Sequence, residues 1–297
     1  MKNIKKIKTI LLLGISLLFS ITIYSQEQNI FTRYRYHMNI INPAYVGVDG
    51  QTLLTSSLRR QWTGVPNGPE SQYISFGTPI ANNLAIGLSL ENNKTFVEKQ
   101  GFLGVDMSYK LQLSRNTDMY FGIKAVADFY DVNFSGLNTY NVVVDPYIQS
   151  ISRFSPNIGV GTLIKGEDWY ASFSVPRIFD TAKVKEKEGV ALVYTDLPQL
   201  YLGAGMDFDI NDDIVLKPSL NWNYLQRSPS ILNATAMVNF NDKFEIGANY
   251  STDNKYAALA TIRVGNRFVF GYAYEMSTIA ALARSKNTNE ILLQFKF

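Results

Sequence analysis

The chain has 297 residues, with 28 basic and 25 acidic side chains, one histidine and no cysteine. The missing cysteines exclude disulfides and thiolate metal sites. Four of the basic residues, Lys2, Lys5, Lys6 and Lys8, share one acid-free stretch, so the remainder is nearly neutral, 24 basic against 25 acidic residues, and lacks the basic footprint that nucleic acid requires.

The first residues are expected to be a secretory signal spanning 1–25. The four lysines form its positive start, Ile10 to Ile23 its apolar centre, and Ser25 a small residue before Gln26. The apolar run is shorter than the roughly 20 residues of a spanning helix.

The segment 26–50 does not alternate and is expected to be a periplasmic arm or a plug entering a lumen. It holds the only histidine, His37, among Arg33, Tyr34, Arg35 and Tyr36. A catalytic or metal-binding histidine needs partners, and no second His or Cys exists, so no enzyme, metal or other cofactor is expected. Within the segment lies Asn42-Pro43-Ala44-Tyr45-Val46-Gly47. Pro43 holds Asn42 extended, and the Asn42 side chain can bond nearby backbone.

From Gln51 onward, about fourteen segments of roughly ten residues alternate with period two, a length suited to tilted membrane strands. The first is followed by Arg59-Arg60-Gln61-Trp62-Thr63-Gly64 and Gly68-Pro69. Parity places Arg59 and Trp62 near the outer end of that strand, Arg59 within reach of lumen acids and Trp62 at an interface. In 103–113, 214–224, 243–250 and 268–274 the alternation is cleanest. It predicts Leu216, Leu220, Phe244, Ile246, Phe268 and Phe270 toward lipid, and Lys110, Asp207, Lys217 and Glu245 toward a lumen.

Connections alternate short and long, as a barrel with both ends on one side requires, although two of the intervening ones, near Arg227-Ser-Pro and Asp253-Asn, are short too. The short ones, Ala81–Asn83, Ser114–Thr117, Lys165–Asp168, Asn211–Asp213, Asn241–Lys243 and Gly265–Arg267, carry the Gly, Asn and Asp of tight hairpins. Longer ones are expected around 62–71, 91–100, 135–151, 179–198 and 276–289. The last includes an apolar run, Ile279 to Ala283, whose Ile279 and Leu282 are candidate partner contacts. Aromatics after the short turns, Tyr120, Phe121, Trp169, Tyr170, Phe244 and Phe268, join Phe295 and Phe297 as an expected periplasmic girdle.

The closing segment, Glu290 to Phe297, places Ile291, Leu293, Phe295 and Phe297 on one face. The expectation is an all-β fold: an antiparallel transmembrane β-barrel of about 14 strands, outer-membrane type, over residues 51–297. It would sit, multi-pass, in the outer membrane of a Gram-negative bacterium, in contact with outer-membrane lipid.

The order of Asn42-Pro43-Ala44-Tyr45-x-Gly47, then Arg59-x-Gln61-Trp62-x-Gly64, then a Gly-Pro turn and alternating strands resembles the PorP/SprF family of type IX secretion and gliding-motility membrane proteins. The resemblance covers essentially the whole chain after the signal. Two positions depart from the family pattern: Asn289 stands where a His usually precedes Glu290, and the Gly-x-Pro element is reduced to Gly68-Pro69. The resemblance implies a non-enzymatic component that assists export or surface attachment of a specific secreted protein. Its implied partners are that cargo and the periplasmic ring or peptidoglycan-linked lipoproteins of the machine. The motif residues Asn42, Pro43, Ala44, Tyr45, Gly47, Arg59, Gln61, Trp62 and Gly64 then either hold the plug and girdle or contact the cargo. The rival reading is an outer-membrane channel or substrate-specific transporter.

Overall fold

A computed structural model describes residues 34–133, 151–182, 195–278 and 287–297. The expected signal, residues 134–150 and 183–194, and the run 279–286 that contains Ile279 and Leu282 lie outside these described residues.

The strands follow the alternation of the sequence. In chain order they are β1 (Leu53–Arg60), β2 (Glu70–Ala81), β3 (Leu84–Thr95), β4 (Glu98–Ser114), β5 (Thr117–Val132), β6 (Ile151–Lys165) and β7 (Trp169–Val175). A two-residue pair, β8 (Thr181–Ala182) with β9 (Thr195–Asp196), stands apart from the wall. Then come β10 (Gln199–Met206), β11 (Phe208–Asn211), β12 (Ile214–Leu225), β13 (Ile231–Phe240), β14 (Phe244–Ser251), β15 (Lys255–Val264), β16 (Phe268–Ser277) and β17 (Asn287–Lys296).

Each wall strand pairs antiparallel with its chain neighbours, and β1 pairs with β17 from Leu53↔Lys296 to Arg60↔Asn289. β10 and β11 both pair with β12 and act as two parts of one wall strand. The result is a closed 14-stranded barrel of the outer-membrane type, with no free edge in the paired wall.

Burial settles which face is which. Leu220, Phe244, Ile246, Phe268 and Phe270 are exposed on the outside. Their inward neighbours Ser219, Asn221, Asn223 and Asn249 are buried. This inversion of the soluble pattern is what hydrocarbon demands: apolar side chains face lipid, and polar ones meet each other inside. No described helix is long and apolar enough to cross a membrane.

The outer surface carries aromatics at two levels. On the short-turn side they include Phe76, Phe121, Trp169, Phe244, Phe268, Phe295 and Phe297, with Phe268–Phe295 rings 4.8 Å apart and Phe76–Phe297 rings 6.2 Å apart. At the opposite end of β12 and β14–β16, tyrosines take over: Tyr224, Tyr250, Tyr256, Tyr272 and Tyr274. The Tyr250 and Tyr256 rings lie 5.0 Å apart, tilted by 44°, and Asn287 donates to the Tyr274 hydroxyl at 3.0 Å. Phenylalanine can sink into hydrocarbon, whereas the tyrosine hydroxyl seeks headgroups or water.

Two expectations are corrected. Residues 91–100 are not a long loop: β3 runs to Thr95 and β4 starts at Glu98, joined by Phe96 and Val97. The ladder continues through Asn92, Asn93 and Lys94 although apolar alternation has stopped. Tyr120 and Tyr170 do not join the short-turn girdle; they point inward, while their neighbours Phe121 and Trp169 face out.

Candidate functional site

The described part of the non-alternating segment, residues 34–50, lies inside the barrel. It folds as short turns: a 3-10 turn at Tyr34–Tyr36, a helical turn at Met38–Ile41 and a second 3-10 turn at Pro43–Tyr45. The helical turn begins after His37 and ends at Asn42, which is extended at φ −146°, as the residue before a proline should be.

Contacts run from one wall to the other. The Tyr36 hydroxyl donates to Glu245 on β14. Arg35 donates to the Lys217 carbonyl on β12 at 3.1 Å and pairs with Asp207 at 3.3 Å. His37 meets the Tyr73 ring of β2 edge-on at 5.3 Å. Lys124 on β5 donates to the Asn39 carbonyl at 2.9 Å and pairs with Asp106 on β4 at 3.1 Å. Ser174 on β7 donates to the Ile41 carbonyl at 2.6 Å.

The first motif forms the tightest part of this plug. The Asn42 carboxamide oxygen accepts from the Ala44 N–H at 2.9 Å, and its Nδ2 donates to the carbonyls of Thr162 (3.0 Å) and Phe173 (3.4 Å). One side chain thus shapes its own turn and ties it to both β6 and β7. Ala44 is fully buried against Tyr120 and Leu163, and its carbonyl accepts from Ser108 at 3.1 Å. Tyr45 lies against Tyr170, with rings 6.3 Å apart.

Glycines in the wall make the room. A Cβ on Gly122 would stand 2.2 Å from the Ala44 nitrogen, and one on Gly161 would stand 2.0 Å from the Asn42 oxygen. Gly47 has φ +72°, and a Cβ there would meet the Ala85 Cβ at 2.2 Å. Both left-handed backbone and close approach therefore require glycine at that motif position.

The second motif lies at the closure seam. Arg59 is 1% exposed. It reaches Glu275 on β16 at 2.8 Å and Glu290 on β17 at 3.5 Å. Gln61 is buried beside it; because the guanidinium offers only donors, the carboxamide is assigned with its oxygen toward Arg59, where it would accept at 3.1–3.2 Å. The Gln61 N–H donates to the Pro69 carbonyl at 2.8 Å and closes the loop 61–69 on itself. Trp62 (φ +54°) and Gly64 (φ +100°) turn that loop, and the Trp62 ring lies 6.2 Å from Phe96. The Thr63 N–H donates to the Asn287 carbonyl at 3.2 Å, and Asn289 donates to the Thr63 hydroxyl at 2.8 Å. Asn289, one of the two departures from the family pattern, therefore anchors this loop.

The two motifs do not form one cluster. Asn42, Pro43, Ala44, Tyr45 and Gly47 gather at β3–β7, whereas Arg59, Gln61, Trp62 and Gly64 gather at the seam. Sequence parity placed Arg59 near lumen acids but did not identify Glu275 and Glu290. It also missed Phe96, hidden in what reads as a polar loop.

Beneath the plug, toward the short turns, lies a cavity of about 370 Å³. Its wall includes Lys217, Glu245, Arg263 and Lys296 beside apolar Met237 and Leu259. Lys217 pairs with Glu245 at 3.3 Å. Among the described residues no group of three His, Cys, Asp or Glu side chains could hold a metal ion.

A family model described as "Type IX secretion system membrane protein PorP/SprF" matches residues 23–295. Among solved structures, the chain is similar to a Pseudomonas aeruginosa FadL homologue at 11% identity, covering 86% of this chain and 92% of that one, with TM-score 0.52. It is similar to the P. putida toluene transporter TodX at 10% identity, covering 87% and 93%, with TM-score 0.51. It is similar to the CymD monoaromatic hydrocarbon channel at 10% identity, covering 92% and 94%, with TM-score 0.50. At such identities the likeness is one of fold. No curated protein sequence matches the chain.

Proposed function

We propose, for a chain that belongs to the PorP/SprF family of type IX secretion system membrane proteins, that this outer-membrane component captures one secreted protein and assists its export or surface attachment. The observation that carries the reading is the plug. Residues 34–50 bridge opposite walls through hydrogen bonds and ion pairs. A lumen crossed in this way suits a binding partner better than a conduit for a polypeptide.

The capture surface in this reading is the long-loop side: 179–198, 276–289 with Ile279 and Leu282, and the loop of Trp62 and Gly64. Function tends to sit on loops held by a rigid frame. The short turns and the underside of the plug face the periplasm. There they dock to a ring or to peptidoglycan-linked lipoproteins of the secretion machine.

The test is carried out in cells that lack the gene and express loop variants. Deleting 279–283 or replacing Trp62 with Ala should leave the heat-modifiable gel mobility of the barrel intact and release the secreted protein into the medium. Normal surface retention for both variants would remove the capture role. Steady single-channel conductance of the unaltered chain in planar bilayers would favour a channel instead.

A further inference from the structure

We propose that Lys94 and Lys99, on the outer face of the β3–β4 hairpin, hold the phosphate of an outer-leaflet lipid headgroup. The register sets Lys94 directly opposite Lys99. Like charges directly opposite each other on one face of an antiparallel pair destabilise it. Both side chains are exposed on the outer face, as is Arg60 in the same cross-strand row.

Two acids share this row. Glu70 lies between Arg60 and Lys94, and Asp131 lies opposite Lys99. Glu70 accepts a hydrogen bond from Gln72 of its own strand at 2.8 Å. Among the described residues, neither lysine is within ion-pair distance of either acid. Among the described residues, the lysine pair thus has a like-charge neighbour and no close counter-ion.

Its level identifies the ligand. On the neighbouring strands the apolar band ends at Phe129 and Phe154, whose exposed rings lie 5.3 Å apart. Phe129 is opposite Gly101, which is opposite Asn92. The next outward row holds Lys94, Lys99 and Asp131, roughly 7 Å farther along the strands. That is where headgroups begin. The short turns mark the periplasmic side, so this end faces the outer leaflet. Elsewhere at this end, tyrosines of β12 and β14–β16 face outward. The two-residue turn at Phe96, whose N–H donates to the Asn67 carbonyl at 3.0 Å, fixes the hairpin tip and holds the two lysines side by side. A phosphate between two ammonium groups cancels the repulsion that the register imposes.

The test uses the full chain purified in detergent. Native mass spectrometry counts lipid adducts after mixing with micelles of diphosphorylated lipid A, with its dephosphorylated form, or with inorganic phosphate. The expected result is retention of the phosphorylated lipid only, weakened on the order of tenfold in the Lys94→Gln/Lys99→Gln double variant. Retention should be restored in Lys94→Arg/Lys99→Arg and unchanged in Lys243→Gln/Arg267→Gln at the short-turn rim. Equal retention by the glutamine variant, or equal displacement by inorganic phosphate, would overturn the proposal. So would unchanged lipid retention with loss of the secreted protein from cells, which would make the patch a protein contact.

Discussion

Arg59 and Glu290 are register partners across the seam where β1 meets β17, and both are essentially excluded from solvent. Their side chains stand 3.5 Å apart, with Glu275 of β16 bonded to the same guanidinium at 2.8 Å. Barrel closure joins segments more than two hundred residues apart, and this cluster marks the correct register. A slip by one residue would turn Arg59 toward lipid and separate it from both carboxylates.

Replacing Arg59 with Ala should therefore be severe. It leaves two buried carboxylates without their shared cation, a loss of about 3–5 kcal/mol by analogy with broken buried pairs. Glu290→Gln should cost less, because Glu275 still holds the guanidinium. Urea unfolding of the barrel in detergent measures both. The assignment fails if Arg59→Ala unfolds within about 1 kcal/mol of the unaltered chain.

Facing can be read from one strand. Leu220 is 50% exposed on the outside, and Lys217 faces inward beside Glu245. Leu220→Arg should cost roughly 2–4 kcal/mol near the bilayer midplane. Lys217→Leu loses an ion pair inside a polar lumen and should assemble better than Leu220→Arg. The fraction of heat-modifiable barrel in isolated outer membranes compares them, and the opposite ranking would invert the facing.

The plug should be displaced by a side chain where the wall has none. Gly122→Val would drive a Cβ into the backbone of Pro43 and Ala44, and overpacking of this kind costs about 1–3 kcal/mol. The barrel should still assemble, while amide exchange of residues 38–47 speeds up and conductance appears in planar bilayers. Unchanged exchange together with continued silence would show that Gly122 does not limit the plug.

Asn42→Ala removes the oxygen that accepts from Ala44 and the two donations to β6 and β7. It should loosen the same segment by about 1–3 kcal/mol, the usual cost of leaving buried backbone groups unsatisfied. Asn42→Ala and Gly122→Val act on one turn, so their effects on amide exchange should be less than additive. Full additivity would mean that the two sites are not coupled through that turn.

Most strand positions, and which residues share a face within each strand, were determined by the sequence alone, because side-chain direction alternates locally along a strand; which face meets lipid was settled by burial in the closed barrel. Within their own strands, Leu216 and Leu220, Phe244 and Ile246, and Phe268 and Phe270 share a face whatever the chain does elsewhere. Tight turns were equally legible, since Asn and Gly at 82–83, 241 and 265 signal them without distant partners. The β3–β4 hairpin was not legible. At Asn92, Asn93 and Lys94 the strand leaves the apolar band, and hydrogen bonding continues with no hydrophobic alternation to reveal it.

Only the tertiary structure decided which inward residues meet. Alternation shows that Glu245, Glu275 and Glu290 are not on the lipid face, but it does not pair Glu275 and Glu290 with Arg59, or Glu245 with Tyr36. It also leaves open whether 34–50 enters the lumen. Those choices depend on the space left by Gly122 and Gly161 and on carbonyls of β6 and β7 that seek donors. Such complementarity exists only once the barrel has closed, since the strands that supply it are remote in the chain.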